Sequence, residues 1–122
     1  MALIYKICPR ALWREAVAAG YLEGSPVDRA DGYIHFSTAA QAAETALRHF
    51  AGVEDLLLVA VEAEALGLAL RFEPSRGGDL FPHLYGPLPM SAVHAVSELP
   101  LGPDGHHRLP PDLAAETGRP PA

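Results

Sequence analysis

Gly32-Tyr33-Ile34-His35-Phe36-Ser37-Thr38 is the stretch on which the reading of the fold turns. In extended form, alternation sends Ile34 and Phe36 to one face and Tyr33, His35 and Ser37 to the other. The Ile-Phe face belongs in a core, so His35 and Ser37 look the opposite way. Thr38 with Gln41 has the spacing of a capping box, which predicts a helix over 38–50. Its apolar stripe is Ala39, Ala43, Ala46, Leu47 and Phe50. A strand running into a helix start places His35, Ser37 and Thr38 beside unpaired N–H groups, where an anion such as phosphate is favoured. A plainer reading stands beside it: Ser37 or Thr38 is only a helix cap and His35 a structural histidine.

Working outward, residues 2–7 (Ala-Leu-Ile-Tyr-Lys-Ile) read as a first strand. Pro9 suits the first turn of a helix that ends at Gly20, with Trp13 and Val17 anchoring it four residues apart. Residues 20–32 read as a loop rich in turn formers. Leu56 to Val61 is a continuous apolar run, as in a central strand covered on both faces. A short turn or helix near 63–67, a strand at 68–73, a loop at 74–80 and a strand over 90–97 complete the order. Strands interleaved with two helices define an α+β domain with helices laid against a mixed sheet.

A second block, Asp79-Leu80-Phe81-Pro82-His83-Leu84-Tyr85-Gly86-Pro87-Leu88-Pro89, brings another histidine. Its prolines and glycine argue against a regular central strand and for a stiff loop holding Phe81, His83 and Tyr85. Such loops line sites; the alternative is a proline-rich corner whose aromatics plug the core edge. Arg71 and Glu73 share one strand face and either enter the same cleft or form an exposed ion pair.

A chain of 122 residues with 49% hydrophobic and 20% charged residues is one globular domain, assigned to residues 1–101. Six of the twelve prolines (Pro100, Pro103, Pro110, Pro111, Pro120 and Pro121) crowd the end, so residues 102–122 are expected to form a mobile tail. A net charge of −6 argues against a general nucleic-acid binder. The single cysteine, Cys8, fits a reducing compartment, and no apolar run is long enough to span a bilayer. Those two features make the cytoplasm the expected location. With no paired cysteines and no histidine pair at helical ligand spacing, no metal site is expected. Neither a nucleophile elbow nor a dinucleotide or phosphate-loop glycine fingerprint occurs.

The opening Ile4-Tyr5-Lys6-Ile7, Trp13, the block from Gly32 to Gln41 and the block from Asp79 to Pro89 together resemble a small family, the domain-of-unknown-function family nine-fifty-two, over about residues 3–99. The resemblance implies an ADP-ribosyltransferase-like fold: a split, mixed or antiparallel β-sheet with flanking helices, whose relatives bind NAD in the cleft. It also implies kinship with tRNA 2′-phosphotransferases, whose His-apolar-Ser strand before a helix is similar to His35-Phe36-Ser37. The chain departs from that pattern twice. Lys6 stands where much of the superfamily has a ribose-contacting histidine, and the late block offers Phe81, His83 and Tyr85 without an evident catalytic glutamate.

Three functional readings remain open from sequence. In the first, a cleft binds NAD, ADP-ribose or another phosphorylated small molecule, as in a degenerate transferase. His35 and His83 are its candidate catalytic residues, with Lys6, Ser37, Thr38, Arg71, Glu73, Phe81 and Tyr85 as ligand contacts. The second is a non-catalytic ligand-binding or protein-interaction domain. The third is a two-histidine phosphoesterase, for which only one of two His-x-Ser/Thr motifs is present. The first reading expects His35 and His83 to open into one shared cleft.

Overall fold

Leu56–Glu62 (β4) runs through the middle of a three-stranded antiparallel sheet, between Leu3–Pro9 (β1) and Val93–Leu99 (β8). The computed structural model describes residues 2–111 and 113. The register pairs Ile4 with Val61 and Ile7 with Leu58, and β4 with β8 through a bulge between Ala60 and Val61. Both faces of β4 are covered: Leu57, Val59 and Val61 join Ile4, Cys8 and Trp13 in one core cluster, while Leu56 and Leu58 join Ile7 and Leu99 in a second. Each fully buried aliphatic side chain of this kind stabilises the fold by roughly 1.5–3 kcal/mol. The unbroken apolar run thus marks a two-sided strand, although every pairing among the described residues is antiparallel rather than mixed.

Cys8 lies wholly inside the first cluster, and burial pushes its thiol up to about 11 despite the nearby Lys6 charge. The native protein is therefore expected to be silent to a disulfide thiol reagent and to titrate fully only in denaturant. Rapid reaction of the folded protein would contradict this placement.

Arg10–Ala19 (α1) closes over the first cluster with Leu12, Trp13 and Ala16, ending at Gly20, whose φ of 92° lets its N–H reach the Ala16 carbonyl. Val17 is exposed rather than an anchor, because the buried stripe is only one turn wide. The expected loop over 20–32 contains a two-residue strand, Tyr21–Leu22 (β2), and a helix, Pro26–Asp31 (α2). Ser25 and Asp28 make a reciprocal capping box around Pro26 in the first turn.

Ile34–His35 (β3) belongs to a second three-stranded sheet. The next helix, Ala42–His49 (α3), begins four residues later than the Thr38–Gln41 spacing predicts. The Gln41 side chain accepts from the Thr38 N–H, but no hydroxyl cap follows and residues 39–41 form a turn. Ala42 and Ala46 face the second core cluster and Leu47 is exposed, so the stripe is rotated from the expected one.

A 3-10 segment, Ala63–Ala69, leads to Leu70–Pro74 (β5), which pairs with Leu80–Leu84 (β6); β6 in turn pairs with β3. The expected irregular loop is thus a central strand despite Pro82. The Pro82 carbonyl accepts from Phe36 N–H at 3.0 Å, so the missing donor faces the side where β3 has already ended. Leu88–Pro89 (β7) pairs with β2, and a 3-10 turn over Met90–Ala92 precedes β8, which starts three residues later than expected.

Residues 102–108 of the expected tail fold back onto the domain. Leu101 bridges His107, Arg108 N–H donates to the Pro100 carbonyl, and the buried His107 donates from Nε2 to the Val53 carbonyl at 2.8 Å. Local turns hold this stretch without any long apolar run. The expectation of mobility for residues 112 and 114–122 lies outside the described residues. No helix among those described is long and apolar enough to cross a membrane.

Candidate functional site

One segment joins the two large sheets. Ile34 and His35 pair with β6, Phe36 donates to Pro82, and Ser37 exchanges both backbone hydrogen bonds with Tyr5 of β1 at 2.8 Å. The chain leaves one sheet and enters the other within four residues. A cavity of about 520 Å³ lies against that crossing, bounded by β1, β3, β6, α2 and the end of α3.

His35 and His83 are direct partners across β3 and β6. Because Phe36 and Pro82 share a ladder hydrogen bond, alternation makes His35 and His83 a non-hydrogen-bonded pair, the kind that brings side chains closest. Their ring centroids are 5.6 Å apart, and both line the cavity. Tyr33 stacks on His83 at 4.1 Å and touches His35 at 4.7 Å, fixing both rings from one side.

A carboxylate holds Nδ1 of each imidazole. Asp28 Oδ1 accepts from His35 Nδ1 at 2.6 Å and from the His35 backbone at 3.1 Å; Glu73 Oε1 accepts from His83 Nδ1 at 2.8 Å. Asp28 is only 2% exposed and its other oxygen takes Lys6 Nζ at 2.8 Å and Ser25 N–H at 2.9 Å. Burial alone would push its carboxyl up, but the His35 bond, the Lys6 charge and the Ser25 N–H outweigh that and hold it well below the usual range. The Tyr85 hydroxyl, ahead of His83, lowers Glu73, and that same bond raises the Tyr85 phenol.

The anticipated residues separate into two groups. Lys6, His35, Ser37, Phe81 and His83 line the cavity. Glu73, Tyr85 and Arg71 stand behind His83: Glu73 accepts from Tyr85 at 2.7 Å, and the Arg71 guanidinium lies 4.9 Å over the Tyr85 ring. Thr38 contributes no lining, and its N–H is taken by Gln41. Thr45 donates to the Gln41 carbonyl, so the Ser37 hydroxyl donates to Thr45 at 2.8 Å instead of capping a helix. The anion corner imagined at a helix start is therefore not built there.

Three residues at the site were not singled out for it from sequence: Asp28, Asp31 and Tyr33. Asp28 was legible in Ser25-Pro26-Val27-Asp28, a capping-box spacing with proline in the first turn, and Tyr33 in its alternation with His35. Asp31 reaches His35 Nε2 at 3.0 Å. Among the described residues, no group of three or more His, Cys, Asp or Glu side chains is arranged to hold a metal ion.

These features define a small α+β protein whose split antiparallel sheets frame a histidine-lined cavity. The chain belongs to the family described as protein of unknown function (DUF952), whose model matches residues 7–96. It is similar to the crystal structure of protein CC0527 from Caulobacter crescentus, at 54% identity and a TM-score of 0.88, over 92% of this chain and 98% of that one. The solution structure of the same relative gives 55% identity and a TM-score of 0.78, over 87% and 91%. No functionally curated protein matches the chain.

Proposed function

We propose that the cavity between His35 and His83 binds a phosphorylated small molecule, with NAD and ADP-ribose the leading candidates, on an ADP-ribosyltransferase-like fold in the cytoplasm. One observation carries this reading: two imidazoles on neighbouring strands, each anchored through Nδ1 by a carboxylate, face one cavity of about 520 Å³. That volume falls within the roughly 300–1,000 Å³ of small-molecule sites. Anchored imidazoles suit either orienting a ligand or passing a proton to it, and Phe81 supplies an aromatic wall. Isothermal titration with NAD, ADP-ribose and 2′-phosphorylated nucleotides tests the reading. At least one is expected to give heat that His35→Ala abolishes. No heat, together with an unchanged melting temperature for all of them, rejects it.

The pairing of two carboxylate-held histidines also favours an acid–base reading, in which one ring takes a proton while the other gives one, as a two-histidine phosphoesterase requires. Hydrolysis of a cyclic nucleotide phosphodiester, lost in His35→Ala, would support it. Binding without turnover of any tested ligand would favour the non-catalytic domain.

A further inference from the structure

We propose that His35 Nε2 is a phosphoryl-oxyanion subsite that Asp31 occupies in the ligand-free protein; the proposal rests on the reading of the cavity as a ligand site. The two sides of the His35 ring differ. At Nδ1 the partner is Asp28, buried and tied to Lys6 and Ser25, so the ring is fixed from inside. At Nε2 the partner is Asp31, whose side chain is 46% exposed and has no other partner among the described residues. Asp31 closes α2 and is followed by Gly32 in the left-handed region, so its carboxylate hangs from the end of a six-residue helix.

Charge counting points the same way. Nε2 of His35 stands 3.0 Å from Asp31 Oδ2, an ion pair when that nitrogen also carries a proton. Lys6 and His35 then balance Asp28 and Asp31. When Asp31 turns into solvent, one positive charge is left facing the cavity with an unused donor. An exposed ion pair is weak because water competes for both partners, so a phosphoryl oxygen entering the cavity can replace the Asp31 carboxylate. Asp28 cannot leave in the same way, since three other donors hold it in the interior.

The experiment titrates pyrophosphate, at fixed pH and ionic strength, into the full chain while the His35 imidazole nitrogens are followed by NMR. Asp31→Asn and Asp31→Ala are expected to bind pyrophosphate about tenfold more tightly than the unmodified protein, with the His35 Nε2 signal moving. Combining either with His35→Ala is expected to erase the gain, which separates a local subsite from a general effect of removing negative charge. Glu44→Gln, the loss of an exposed carboxylate that does not line the cavity, is expected to leave affinity unchanged. Equal affinity in the Asp31 variants, or a gain that survives His35→Ala, overturns the proposal. If ADP-ribose binds the unmodified protein while the Asp31 variants gain nothing, the subsite fails and the cavity reading stands. If neither ADP-ribose nor pyrophosphate binds any variant, both fall.

Discussion

Asp28→Ala is expected to lower the free energy of unfolding by about 3–5 kcal/mol, because it leaves the buried Lys6 ammonium without its counter-charge. His35 loses its inner anchor in the same stroke, and α2 loses half of its capping box. Urea denaturation monitored by tryptophan fluorescence at Trp13 measures the effect. A loss below about 1 kcal/mol, the scale of a solvated pair, would mean that water reaches Lys6. The same carboxylate sets an acid dependence. Its folded form binds a proton less readily than an ordinary aspartate, near pKa 3.9 in the unfolded chain, so its contribution is complete above that value. It is lost as pH falls below about 4. Stability of the unmodified protein is thus expected to drop between about pH 4 and pH 2 more steeply than that of Asp28→Asn. Parallel curves would show that Asp28 does not carry this dependence.

Gly24→Ala is expected to cost about 2–4 kcal/mol, from left-handed strain and overpacking together. Gly24 has φ of 107°, and a Cβ there would stand 2.7 Å from Asp28 Cβ and 3.0 Å from Oδ2. The Asp28 Cβ is no flexible tip that can swing aside; α2 itself must shift, taking the carboxylate off Lys6. The midpoint of urea unfolding reports the loss, and a displaced His35 Nδ1 resonance reports the route. A variant with normal stability and an unmoved His35 signal would show that the 24–28 turn is not packed as described.

What was legible from sequence follows from how many physical signals pointed one way. The run from Leu56 to Val61 left no solvent face, and Ile34 and Phe36 alternate cleanly, so a two-sided strand and the outward aim of His35 both came through. The strand at Leu80–Leu84 did not, because Pro82 counts against any central strand unless one knows that its neighbour stops at His35. Asp28 hid for a related reason. Glycine, proline and serine around it all speak for a turn, and only the Ser25–Asp28 spacing spoke for a helix. His35 and His83 were chosen separately, whereas their partnership depends on register, which no local pattern encodes. The carboxylates behind them come from α2 and β5, elements whose approach only the assembled sheets define.

The crossing segment from Ile34 to Ser37 has a consequence for how freely this hollow can change. Its outline is drawn by main-chain bonds, from Phe36 to Pro82 and between Ser37 and Tyr5, rather than by the groups that decorate it. Apart from the buried Lys6–Asp28 pair, exchanging a lining side chain such as Asp31 therefore alters the chemistry of the space without collapsing the walls. Such an architecture lets relatives keep the same vessel while filling it with different reagents.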